Sequence, residues 1–115
     1  MTVELSALQA LSLWHRVHVA QVQDDMPDLT VRQMAILLQI YLVPPPHTVR
    51  GLAALLAVTK PVITRALDRM GELGLVDRER DPRDRRNVVI KRTVKGALFL
   101  ERFGDQVIAA AQALD

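Results

Sequence analysis

The stretch Leu52–Arg86, LAALLAVTKPVITRALDRMGELGLVDRERDPRDRR, decides how the chain reads. Within it, Thr59 is placed to cap a helix that opens Lys60-Pro61, where proline is tolerated because the first turn has no intrahelical N–H bond to lose. Ile63, Ala66, Leu67, Met70 and Leu73 then recur at helical spacing and share an inner face, leaving Lys60, Thr64, Arg65, Asp68 and Arg69 on the outer one. Gly74 suits a left-handed cap that ends the helix over 60–73. Leu75–Arg80 and Asn87–Arg92 follow as two short strands, and the six residues DPRDRR between them form a projecting tip. Five arginines fall between Arg78 and Arg86. A solvated loop gains nothing from that density, so the tip reads as a surface built to meet an anion. Asp81 and Asp84 are expected to brace the arginines by ion pairing, and Arg69 has Asp68 and Glu72 in reach along its own helix.

Working outward, apolar residues at Leu5, Leu8, Leu11, Val17 and Val22, broadened by Leu13 and Trp14, predict a helix from Val3 to about Asp24 with a wide buried face. Asp24, Asp25 and Pro27 interrupt it. Thr30 and Gln33 then form a capping box, with Leu29 and Met34 placed as a hydrophobic staple, and the helix they open must stop before Pro44, Pro45 and Pro46. Thr48 caps a short third helix, VRGLAALLA, and Val58 supplies a brief turn before Thr59. After the second strand, Thr93 caps a last helix with Leu98, Leu100, Phe103, Val107, Ala111 and Leu114 as its apolar residues. The fold class is therefore mainly α with a small β-hairpin, α+β, in one domain of 115 residues.

The bulk numbers narrow the function. Half the residues are hydrophobic, which excludes disorder, and there are no cysteines, which excludes disulfides, thiolate metal sites and a cysteine nucleophile. No apolar run approaches the roughly 20 residues that span a bilayer, and the start lacks the features of a signal peptide, so a cytoplasmic protein is expected. The net charge of +2 hides a segregation: Lys60–Lys95 holds eleven Lys and Arg against six Asp and Glu, whereas Met1–His47 holds two against four. Nucleic acid is the commonest partner of such a basic segment, with acidic protein or anionic lipid as alternatives.

Two helices joined by a short turn make a helix-turn-helix, whose second member presents its N-terminal residues to the major groove, and a basic hairpin directly after it is a wing. Arginines on an extended tip can enter a narrow minor groove while their neighbours hold phosphates. The candidate DNA-binding residues are Thr59, Lys60, Pro61, Thr64, Arg65 and Arg69 on the recognition helix, with Arg83, Asp84, Arg85 and Arg86 on the wing over 81–86. Asp84 is expected to orient an arginine rather than touch DNA.

Four segments in this order, LTVRQMAILL (Leu29–Leu38), LAALLAVTKPVITRALDRM (Leu52–Met70), GLVDRERDPRDRR (Gly74–Arg86) and TVKG (Thr93–Gly96), resemble the MarR family of winged helix-turn-helix transcription regulators. The resemblance covers about Leu29–Leu100, and DPRDRR after VITR and GLV is its most specific part. It implies a DNA-binding lobe over 29–93, dimerisation helices over 1–26 and 94–115, and a homodimer bound to a palindromic operator, a repressor above all. Thr64 and Arg65 would have major-groove or phosphate roles, and Asp84, Arg85 and Arg86 the wing role. Family members generally continue into a further dimerisation helix, where this chain stops at Asp115. It is thus expected to be a short variant whose dimer rests on the first helix and Ala97–Leu114. Such regulators often bind small aromatic or phenolic effectors between the dimerisation helices and the DNA-binding lobe, but no residue here identifies one.

Each functional reading has a plainer counterpart. Lys60, Thr64 and Arg65 could be the wet face of an amphipathic helix, Arg69 a partner of Glu72, and the wing arginines a solubilising turn. The turn before and the hairpin after favour DNA contact. Trp14, His15 and His18 read as interface or core residues, because the histidines lack a third ligand at metal spacing, and His47 reads as a loop residue. The main alternative function is an interaction module that turns the same basic face to an acidic protein partner. An enzyme is the least supported class: there is no phosphate-cradling glycine loop and no nucleophile with a base beside it, and no cofactor is implied.

Overall fold

The computed structural model describes residues 2–115, which form seven elements: α1 (Ala7–Gln23), α2 (Val31–Leu42), α3 (Val49–Leu56), α4 (Lys60–Glu72), β1 (Val76–Arg80), β2 (Val88–Arg92) and α5 (Val94–Gln112). They group into two compact units, one of residues 2–28 with 99–115 and the other Leu29–Leu98.

The Leu29–Leu98 unit is a winged helix. α2 starts where the capping box places it: Thr30 Oγ1 accepts from the Gln33 N–H at 3.0 Å, and Gln33 Oε1 accepts from the Thr30 N–H at 2.9 Å. It ends at Val43, before the prolines. Thr48 Oγ1 accepts from the Gly51 N–H and opens α3, which stops one residue short of the expected Ala57. Ala57 instead turns left-handed, at φ 54°, and its N–H and that of Val58 donate back to the carbonyls of Ala54 and Ala53. This ends α3 and aims the chain at α4 within three residues. Gly74, at φ 76°, ends α4 in the same way, and the Leu75 N–H donates to Met70 O at 2.9 Å.

The core of this unit consists of Ile36, Leu37 and Ile40 from α2, Leu52 and Ala53 from α3, Ile63, Ala66, Leu67 and Met70 from α4, Leu75 just before β1, and Val76 and Ile90 from the strands. Each fully buried aliphatic side chain contributes about 1.5–3 kcal/mol. β1 and β2 pair antiparallel from Val76↔Arg92 to Arg80↔Val88, each starting one residue later than expected. A single bridge, Thr48↔Val89, and a hydrogen bond from the Ile90 N–H to His47 O add the end of the α2–α3 connection to the hairpin's other edge. His47 is therefore not a plain loop residue. It is buried, and its Nε2 lies 2.8 Å from Val43 O, which satisfies a carbonyl that α2 leaves open.

In the other unit, α1 begins at Ala7 rather than Val3 because Ser6 and Gln9 form a second capping box, at 3.1 and 2.9 Å. The expected wide buried face is also corrected. Val17 alone in α1 is buried, whereas Leu8, Leu11, Trp14 and Val22 are 59–77% exposed. From α5 this unit buries Phe99 and Ala110. Asp24 ties the two segments together: its carboxylate accepts from Arg102 Nη2 and from Gln106 Nε2.

Candidate nucleic-acid interface

α4 positions its polar residues by periodicity alone. With Ile63, Ala66, Leu67 and Met70 buried, Thr59, Lys60, Pro61, Thr64, Arg65, Asp68 and Arg69 are exposed along the opposite side. Thr59 occupies the N-cap position, yet its side chain makes no capping hydrogen bond, contrary to expectation. Pro61 explains this in part, since it removes one of the two N–H groups that an N-cap oxygen usually accepts from. Arg69 lies 3.7 Å from Glu72. Asp68 pairs elsewhere.

Asp68 joins the recognition helix to the wing. Its carboxylate takes Arg78 Nη1 at 2.7 Å, so a residue of the exposed α4 face is tied to the first strand of the hairpin. Side chains alternate along a strand, which places Arg78 and Arg80 on one face of β1 and Asp77 and Glu79 on the other. Arg80 Nη1 in turn donates to Arg85 O at 2.7 Å, in the tip. The guanidinium groups of Arg78 and Arg80 thus link the outer side of α4, along β1, to the main chain of the loop, while Glu79 turns to Lys91 at 3.8 Å on the other face. The DRER alternation was the signal for this sorting of charge, and sequence reasoning missed it.

The loop holds its own shape. Asp81 Oδ1 accepts from the Arg83 N–H at 2.9 Å, and Asp84 Oδ1 accepts from the Arg86 N–H at 3.1 Å and from Arg86 Nε at 3.3 Å. Two backbone bonds, from Asp81 N–H to Asn87 O and from Asn87 N–H to Asp84 O, close the base. The aspartates therefore act mainly on backbone N–H groups, as short acidic side chains do in turns, and Asp84–Arg86 is the one ion pair within the tip among the described residues. Arg83, Arg85 and Arg86 are exposed.

Arg92, by contrast, belongs to the scaffold. Its guanidinium donates to Ile40 O at 2.8 Å and Val43 O at 3.0 Å, capping the end of α2 beside the Tyr41 ring. The Tyr41 hydroxyl lies 2.8 Å from Leu75 O and 3.1 Å from Thr93 O and accepts from the Thr93 N–H. Thr93 Oγ1 donates to Gly74 O and accepts from the Gly96 N–H, so the expected cap of α5 is formed. Trp14 and His18 meet edge to face at 5.0 Å on α1. Among the described residues no group of three or more His, Asp or Glu is placed to hold a metal, and no helix is long and apolar enough to cross a membrane.

Comparison with known proteins gives a consistent result. The model of the MarR family matches residues 28–87. The transcriptional regulator HosA of Escherichia coli O111:H- is 33% identical over 100 residues, which span 87% of this chain and 73% of HosA. The crystal structure of MarR has a TM-score of 0.69 at 29% identity, covering 94% of this chain and 78% of that one. CouR from Rhodococcus jostii RHA1, solved bound to p-coumaroyl-CoA, has a TM-score of 0.64 at 30% identity over 88% of this chain and 68% of its own.

Proposed function

The chain belongs to the MarR family of transcription regulators, and so is not an enzyme; from that premise we propose that it is a homodimeric repressor that binds a palindromic operator in double-stranded DNA. The observation that carries this reading is the line of arginines that begins at the Asp68–Arg78 contact and reaches the tip through Arg80 and Arg85. A duplex lying on α4 would present its next groove to the wing. Lys60, Thr64, Arg65 and Arg69, with Thr59 and Pro61 at the entrance, act in the major groove and on its phosphates. Arg83, Arg85 and Arg86 act in the minor groove, with Asp84 aiming Arg86. The free hydroxyl of Thr59 is suited to a phosphate, because no backbone N–H occupies it.

The dimer is supported by α1. An apolar stripe of Leu8, Leu11, Trp14 and Val22 left in water is the pattern of a surface that a partner covers, and a second copy of the same helix supplies an equally apolar face. The cytoplasm is the compartment this function requires. CouR binds a phenolic acyl thioester, and a small aromatic effector is the corresponding proposal here.

Selection of bound sequences from random DNA should return a palindrome. On that operator, replacing Arg85 and Arg86 together by Ala should weaken binding by at least about 1–3 kcal/mol, the amount one groove arginine supplies. Unchanged affinity in a gel-shift titration overturns the wing assignment. A monomer by light scattering that retards no DNA would instead favour a module for an acidic protein partner.

A further inference from the structure

We propose that Arg32, Gln33 and Arg65 form a binding site for a DNA phosphodiester, which makes the start of α2 a third point of attachment beside the recognition helix and the wing. The inference rests on the DNA-binding reading above and extends it to an element that reading leaves unused. The site is a recess of about 210 Å³ between the first turn of α2 and α4, lined by these three residues with Thr30, Val62 and Ala66. None of the six is acidic.

The polar groups there are matched to an anion. Arg32 and Arg65 form no ion pair among the described residues, unlike Arg69, Arg78, Arg86 and Arg102, each of which faces a carboxylate. The two side-chain oxygens each already hold a backbone N–H: Thr30 Oγ1 takes the Gln33 N–H, and Gln33 Oε1 takes the Thr30 N–H. The two guanidinium groups, the Gln33 Nε2 amide and the Thr30 O–H are donors without a partner among the described residues. Several donors and two positive charges around one recess that no carboxylate lines suit a tetrahedral oxyanion, which guanidinium groups bind through paired N–H···O contacts.

Arg65 identifies which anion. It lines the recess and also stands on the exposed side of α4 with Lys60, Thr64 and Arg69, so an oxyanion held between Arg32 and Arg65 adjoins whatever lies along α4. A backbone phosphate of the bound duplex meets that condition. It also assigns Arg65 to positioning the duplex rather than to reading bases.

The test is Arg32→Ala in the full chain, with affinity measured by fluorescence anisotropy over a range of salt on the selected operator and on an unrelated duplex. Arg32 is exposed, and circular dichroism checks that the variant stays folded. The expected result is a several-fold loss, equal on both duplexes, with a log–log salt slope shallower by about one, and Arg32→Lys should restore the slope. Wild-type affinity and slope for Arg32→Ala, while the Arg85/Arg86 double variant weakens, would overturn the phosphate site and leave the DNA reading standing. A loss confined to the operator with an unchanged slope would also overturn it, since that is the signature of base contact. If the wild-type chain shows no salt-dependent binding to either duplex, the DNA reading itself fails.

Discussion

Gly96 shows how the space for one carbon atom fixes a joint in the winged lobe. A Cβ there would overlap the Tyr41 hydroxyl and the Leu75 carbonyl, the groups that hold the start of α5 against the end of α4. Gly96→Ala is therefore expected to cost about 1–3 kcal/mol, as overpacking does. Thermal unfolding should fall by roughly 5–10 °C. A melt that matches the wild type would mean that Tyr41 gives way freely. The role of Thr93 as a cap was legible from its own neighbours, because a cap is a local arrangement. The reason for Gly96 was not, since its partner Tyr41 lies on α2. His47 was misread on the same ground, and the side-chain role of Arg92, which the sequence marks only as the end of a strand, was not legible either. Their hydrogen bonds to Val43 and Ile40 close the end of α2 from positions that local pattern cannot link to it.

Among elements, α4 was the most legible, because period 3.6 separates a buried face from a wet one within a dozen residues, whereas the hairpin, whose burial does not alternate, was marked by Gly74 before it and the polar tip between its strands. What pattern could not supply was the internal wiring of the tip. The aspartates of DPRDRR are expected to brace arginines by ion pairing; Asp84 does so with Arg86, but both carboxylates also accept backbone N–H groups, which pattern did not show. The distinction has opposite consequences for DNA binding. If Asp84 acted only through charge, Asp84→Ala would remove repulsion and tighten the complex. Because Asp84 holds both Arg86 N–H and Arg86 Nε, we expect the variant to bind several-fold more weakly, on the order of 1 kcal/mol for the lost hydrogen bonds. Asp84→Asn, which keeps an oxygen acceptor for those donors, should bind at least as well as the wild type. Anisotropy titrations of the two variants separate the cases, and tighter binding by Asp84→Ala would refute the structural role.

At the scale of the molecule, α1 leaves an apolar stripe in water. Its apolar residues were legible in the sequence, but their exposure was not, because periodicity marks a face as apolar without saying whether the same chain covers it. Leu11 is 67% exposed, so Leu11→Glu should leave the fold of one chain intact. In a dimer that covers this face, the same change would bury an unpaired carboxylate at a cost of several kcal/mol. Light scattering should then report a monomer in place of the dimer, and operator affinity should drop by orders of magnitude as the linked second half-site is lost. A Leu11→Glu protein that stays dimeric would move the interface off α1. The closed base of the arginine loop carries a different consequence. Bonds from Asp81 to Asn87 and from Asn87 to Asp84 mean that this segment has surrendered its conformational entropy before any duplex arrives. Encounter then waits on no folding step: its rate is left to diffusion and the long-range field, and changes at the tip that leave its charge alone register in the lifetime of the complex.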